Sequence, residues 1–240
     1  MYEEIYVAGS GVTGKVSILV PTYNIPSSAK KCIESLRHNT DYPDFEICIA
    51  DDANPSHELK EYLRSLESVE NIKVVFGDKR LEYGGNIMRA FNISDGQIIC
   101  VFNDDAHVPT SSRDWLSKLV RELQMNPKYG SVTPKVLYDS LGVYWVGKKR
   151  ENANNLTHDF LHLNHDHPDI PKEPVECCYN NFACCVMWRE LVNKVPIGSI
   201  NNHYGSDSAW CHLVEVRFGL HHYMVPVTYV HHANLFNKRN

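Results

Sequence analysis

The strongest constraint in this chain is a recurring pattern: a short β-rich run ends in polar or acidic residues, an amphipathic helix follows, and the pattern starts again. VSILVPT (16–22) is followed by SSAKKCIESLRHNT, which spaces Ala29, Cys32, Ile33 and Leu36 as one helical face behind a serine cap. FEICIA (45–50) leads through Asp51 and Asp52 into HELKEYLRSLESV (57–69). NIKVVFG (71–77), GGNIMRAFNIS (84–94) and QIICVF (97–102) complete a third strand, a third helix and a fourth strand. Strands alternating with helices need crossover connections, so the expected fold class is α/β, with a Rossmann-like, mostly parallel sheet flanked by helices.

Ligands of such sheets gather beyond the carboxyl ends of the strands. The first strand ends there in Pro21, Thr22, Tyr23 and Asn24, the second in Asp51 and Asp52, and the fourth in Asn103, Asp104 and Asp105. Acidic pairs at two strand ends are the first functional signal. Adjacent carboxylates repel and are seldom buried without a partner, and hard divalent cations take carboxylate oxygens together with phosphate oxygens. On spacing alone, the Asn-Asp-Asp segment reads equally as a turn capped by Asn103 or Asp104 and as a metal site.

The second half is less regular. SSRDWLSKLVRELQMNP (111–127) is a helix with a serine cap and a proline stop, residues 129–147 read as strands and turns, and 148–175 as a long polar loop. CCYNNFACCVMWRELVNKV reads as strand then helix, a further helix starts near Asp207, and YMVPVTYVHH closes as a strand on His231 and His232. No repeat or linker divides the chain, so a single domain over 1–240 is expected.

Composition narrows the class. The net charge of −5 argues against a nucleic-acid binder, and the apolar runs are too short to span a bilayer. The first ten residues lack the features of a signal peptide, and eight cysteines without a C-x-x-C pair read as reduced, buried thiols, so a cytoplasmic protein is expected, with a peripheral position at a membrane left open. GSGVTGK (9–15) imitates a phosphate-binding loop, but Val16 stands where Ser or Thr should be and a strand follows instead of preceding it. His162, His165 and His167 lie close together beside Asp166 but lack the second paired half of a zinc knuckle, and a mobile acceptor-side loop is the preferred reading. Arg89 could meet a phosphate, although a solvated helix face is the plainer expectation.

VSILVPTYN, EICIADDAN and GGNIMRAFNISDGQIICVFNDDAHV, then NNFACCVMWRELVNKV, YGSDSAWCHLVEVRFG and VPVTYVHH, resemble in order the blocks of GT-A fold, family-2 type inverting glycosyltransferases, rhamnosyltransferase-like members included. The resemblance covers roughly 16–232. It implies a GT-A fold with a nucleotide-sugar-binding half at about 16–110 and a smaller mixed acceptor-side region at about 111–240. It further implies that Pro21, Tyr23 and Asp52 hold the nucleoside. Asn103 and Asp104 would face the donor and Asp105 would hold Mn²⁺ or Mg²⁺, as the family's D-x-D motif does, with Asn103 in its first place.

Asp207 falls on the Asp of the family's Glu-Asp block, as general base, while Ser206 stands where Glu is usual; a helix N-cap is the other reading of Asp207. A terminal His in the family completes the metal site or touches the diphosphate, and of His231 and His232 only one can face the site from a strand, His232 being the choice. The implied partners are a UDP-, GDP- or dTDP-sugar donor and a glycan, lipid-linked or protein acceptor. Two other functions remain open at this point. A sugar-nucleotide nucleotidyltransferase would need a glycine-rich basic loop that TYNIPSSAKK lacks, and Ser206 keeps an inactive nucleotide-sugar-binding module in view.

Overall fold

The computed structural model describes residues 14–147, 160–199 and 205–233. Five residues of the phosphate-loop-like segment, Gly9 to Thr13, and the first part of the expected long loop, 148–159, lie outside them, as do 200–204. The strands are β1 (Val16–Thr22), β2 (Phe45–Asp51), β3 (Ile72–Phe76), β4 (Ile98–Phe102), β5 (Ala106–His107), β6 (Tyr129–Leu137), β7 (Val143–Trp145), β8 (Val175–Cys177), β9 (Cys184–Trp188) and β10 (His221–His232). The helices are α1 (Pro26–His38), α2 (His57–Leu66), α3 (Glu82–Asn92), α4 (Trp115–Met125), α5 (Arg189–Lys194) and α6 (Ser206–Phe218).

One ten-stranded sheet runs in the order β3-β2-β1-β4-β9-β6-β10-β5, with β7 beside β6 and β8 beside β10. The first four of these strands pair in parallel, Val16 opposite both Phe45 and Ile98. Beyond β4 the sheet is mixed: β9 runs antiparallel to β4 and β6, while β10 is parallel to β6 and antiparallel to β5. Crossover helices join the parallel strands β1 to β4, and β1 and β4, inside the sheet, are buried at every residue. Of the later strands, β6 and β10 follow α4 and α6, whereas β5, β7 and β9 arrive through short turns and loops.

The helices bury the stripes that their spacing predicts: Ala29, Cys32, Ile33 and Leu36 on α1, and Leu59, Leu63 and Leu66 on α2. Capping differs from expectation in two places. α1 starts at Pro26, whose fixed φ and missing N–H suit a first turn, and no side chain caps it. The Ser28 hydroxyl donates instead to the carbonyl of Asp104 at 3.0 Å. α4 starts at Trp115 without a side-chain cap, and Ser111 pairs with the Tyr229 hydroxyl at 2.8 Å. Ser56 does cap α2, accepting from the Leu59 N–H.

At the amino ends of the parallel strands, the buried Glu46 accepts from the Ser17 hydroxyl, the Asp95 N–H and the Lys73 ammonium at 2.7 to 2.8 Å, with Lys15 at 3.1 Å. Burial alone would push this carboxyl up. The Lys73, Ser17, Asp95 and Lys15 hydrogen bonds outweigh it and hold the pKa at about 2. The charged knot pins the sheet at the end opposite the candidate site.

The expected loop after β7 is partly stitched to it. Val143 N–H donates to the Leu163 carbonyl and His162 N–H to that of Val143, both at 2.8 Å. The three histidines of this stretch have separate partners: His162 stacks on Tyr138, His165 faces Asp166, and His167 faces Asp169. No helix among the described residues is long and apolar enough to cross a membrane.

Candidate active site

A cleft of about 360 Å³ opens at the carboxyl ends of the strands. Its volume lies in the range of small-ligand sites. The residues to which the resemblance assigns a site role line it: Pro21 and Tyr23 after β1, Asp52 after β2, Asn103, Asp104 and Asp105 after β4, Asp207 in the first turn of α6, and His232 at the end of β10.

The Asn-Asp-Asp segment is both a turn and a wall of the cleft. The Ala106 N–H donates to the Asn103 carbonyl, closing the turn. Asn103 Oδ1 accepts from the Tyr83 hydroxyl at 2.5 Å, and Asp104 Oδ2 accepts from the Tyr23 N–H at 3.1 Å, so β1 and β4 are tied together at the rim. Asp105, only 7% exposed, lies with Oδ1 3.2 Å from Nε2 of His232. The His232 ring stacks on Tyr144, centroids 4.3 Å apart and planes at 6°. Alternation along β10 sends His231 to the other face of the strand, where its Nδ1 is 2.9 Å from Asp139.

Asp52 has a structural task that spacing does not reveal. Its two carboxylate oxygens accept from the N–H groups of Leu81 and Glu82 at 2.6 and 2.9 Å, capping α3 from the neighbouring strand end. Glu82, which lines the cleft, has a left-handed φ of +65°, a conformation a non-glycine residue keeps only when its surroundings impose it. Arg89 is not on a solvated face, and it does not line the cleft. Its guanidinium, 11% exposed, donates to Asp52 Oδ1 at 3.1 Å and to the Asp51 carbonyl at 3.2 Å. The Asp52–Arg89 pair therefore braces the loop that leads into α3.

Asp207 follows Gly205, whose φ of +87° makes the bend into α6; that glycine occupies the N-cap position, so Asp207 is not the cap. The carboxylate is half-buried, and Oδ1 accepts from the Ser208 N–H at 2.8 Å. Loss of solvent in the cleft dominates and lifts its pKa to about 6, despite the backbone hydrogen bonds that favour the charge. Ser206 beside it is buried and also lines the cleft.

Besides Glu82, the lining residues not anticipated include Arg80, Tyr83 and Tyr144. The Arg80 guanidinium lies over the Tyr23 ring at 4.3 Å, Tyr83 holds Asn103, and Tyr144 sits against His232. The polar end of β3, GDKRL, is the one signal that could have found Arg80, since it follows a strand of the same parallel set.

The family model of glycosyl transferase family 2 matches residues 17–195, from β1 through α5, and so takes in the three strand ends and the turn after β4. The chain belongs to that family. The family-2 chain is 27% identical over 153 residues to the GalNAc(5)-diNAcBac-PP-undecaprenol beta-1,3-glucosyltransferase of Campylobacter jejuni, a match covering 61% of this chain and 47% of that protein. It spans between 14% and 47% of the length of the curated relatives it matches. Its fold is that of the mannosyltransferase PcManGT from Pyrobaculum calidifontis, solved with GDP-Man and Mn²⁺. The TM-score is 0.66 at 17% identity, over 96% of this chain and 61% of that one. GalNAc-T7, solved with UDP, GalNAc and Mn²⁺, has a TM-score of 0.70 at 14% identity, over 91% and 43% of the two chains. These neighbours establish the GT-A glycosyltransferase architecture.

Proposed function

We propose that the chain transfers a sugar, with inversion, from a nucleotide diphosphate donor to an acceptor hydroxyl. The observation that carries this reading is the convergence on one cleft of Asp105 with His232 and of a carboxyl, Asp207, whose pKa of about 6 suits a base near neutral pH. The half at about 16–110 would take the donor, and the half at about 111–240 the acceptor. PcManGT with GDP-Man and GalNAc-T7 with UDP support a nucleotide-sugar donor, and the name of the Campylobacter relative supports a lipid-linked acceptor. UDP-, GDP- and dTDP-sugars are all candidates for the donor.

A carboxylate and an imidazole at 3.2 Å, joined by diphosphate oxygens, form a donor set that suits Mn²⁺ or Mg²⁺. Asp105 and His232 would hold that ion, which when bound offsets charge on the leaving diphosphate. The chain's own residues do the rest. Pro21, Tyr23 and Arg80 form the wall that receives the nucleoside, with Asp52 fixing the loop behind it. Asn103 and Asp104 face the sugar side. Asp207 accepts the proton of the acceptor hydroxyl as its oxygen attacks the anomeric carbon, and the small Ser206 leaves room beside it.

A thermal-shift screen of UDP-, GDP- and dTDP-sugars with and without Mn²⁺ tests the reading, because a ligand of the folded state raises its apparent stability. One donor should stabilise the protein only when the metal is present, and an added acceptor should release the nucleoside diphosphate. Stabilisation without turnover under any acceptor would leave a binding module instead.

A further inference from the structure

His107, His231 and Asp139 come together on the face of the β5–β10 pair opposite the cleft. In that antiparallel pair His107 stands across from His231 and Ala106 from His232, so the first two side chains share a face and His232 takes the other. Asp139 reaches them from the turn after β6, which is held by Tyr138 N–H donating to the Gly142 carbonyl at 2.8 Å. None of the three residues lines the cleft.

We propose that these three residues form a second metal site, for a Zn²⁺-type ion, separate from the donor cleft. Two imidazole nitrogens point at one carboxylate oxygen: His231 Nδ1 lies 2.9 Å and His107 Nε2 3.1 Å from Asp139 Oδ1. A tetrahedral zinc with bonds of about 2.0 to 2.2 Å has ligand-to-ligand edges of roughly 3.3 Å, so the two His–Asp139 edges need to open only by tenths of an ångström, and all three ligand atoms lie within 4.8 Å of one another. The ligand types also select the ion. Two imidazoles and one carboxylate suit zinc and its borderline neighbours, whereas Mg²⁺ wants oxygen.

The surroundings resemble those of built metal sites. Lys31 pairs with the other oxygen, Asp139 Oδ2, at 3.1 Å and so presents Oδ1 to the imidazoles, as hydrogen-bonded outer partners do for ligating carboxylates. His107 and His231 meet edge to face, centroids 5.1 Å apart, so their rings do not block each other. His231 is 9% exposed, and its second nitrogen, Nε2, is buried without a hydrogen-bond partner. Water would complete the coordination. An ion here would tie β5, β10 and the turn after β6 into one brace directly behind His232. The assignment does not rest on sugar transfer.

The test uses metal alone. Protein stripped with a chelator is titrated with Zn²⁺ by calorimetry, and with Co²⁺ while the visible absorption of tetrahedral cobalt is followed, both without nucleotide. One equivalent should bind, the cobalt spectrum should show nitrogen ligation, and Asp105→Ala should leave both unchanged. His107→Ala should weaken Zn²⁺ at least 100-fold. Asp139→Asn should do the same, and because Asp139 is exposed this change keeps the fold, which circular dichroism checks. Absence of a stoichiometric site, or zinc binding unchanged in Asp139→Asn and so held by other histidines, would overturn the proposal.

Discussion

His232 Nε2 and Asp105 Oδ1, 3.2 Å apart, join the last residue of β10 to the turn after β4, and the Ala233 N–H closes the junction on the Asp105 carbonyl at 2.8 Å. Residues 127 positions apart in sequence thus form one side of the cleft. If they hold the donor's metal, His232→Ala should weaken Mn²⁺ binding in the presence of nucleotide by roughly 10- to 100-fold, and Asp105→Ala by at least that much. Calorimetric Mn²⁺ titration at fixed nucleotide measures it. Donor binding indifferent to EDTA and to both changes would remove the metal role.

The Asp52–Arg89 pair makes a different prediction. Arg89→Ala leaves the buried Asp52 carboxylate with only the more distant Arg80, 4.0 Å away, as a cation and loosens Leu81 and Glu82, so a loss of about 2 kcal/mol in stability is expected. If the cleft takes the nucleoside as proposed, the donor KM should rise more than kcat falls, because the pair braces that wall. Urea denaturation and initial rates separate the two effects.

Glu46 and Asp207 should respond to pH in opposite directions. Glu46 has a folded pKa of about 2, below the ordinary glutamate value near 4.3, so its contribution is present above that value and is lost as the pH falls toward 2. Glu46→Gln should lower the melting temperature by several degrees at pH 7, and the gap should close in acid. Asp207, with a folded pKa of about 6, is the reverse. Its ionisation costs stability as the pH rises from about 4 through 6, so Asp207→Asn should melt slightly higher than wild type at pH 8. The difference, on the order of 1 kcal/mol because the cleft admits solvent, should vanish below pH 4.

The parallel half was legible because its signals are local. Ala29, Cys32, Ile33 and Leu36 repeat at helical spacing, and a fully apolar run such as IICVF can hide only in the middle of a covered sheet. Long-range partners were not legible. Nothing near Arg89 in the chain announces that its charge is spent on Asp52, 37 residues away. Ser28 looks like a helix cap until Asp104 offers it a carbonyl from β4. The positions of Asp105, Asp207 and His232 came from the order of whole blocks. Tyr144 was missed because the segment around it carries no strong periodicity, and its place against His232 depends on how β7 joins β6.

The proposed transfer turns on Asp207 as the base. The direct measurement is the single-turnover rate of sugar transfer, from pH 5 to 9, for wild type and Asp207→Asn at saturating donor and Mn²⁺, with donor affinity measured in parallel. Wild-type rate should climb with pH and level off above a midpoint near 6, while Asp207→Asn should bind donor normally and transfer at least 100-fold more slowly with no such limb. An Asp207→Asn enzyme that transfers at the wild-type rate, with the same pH midpoint, would contradict it.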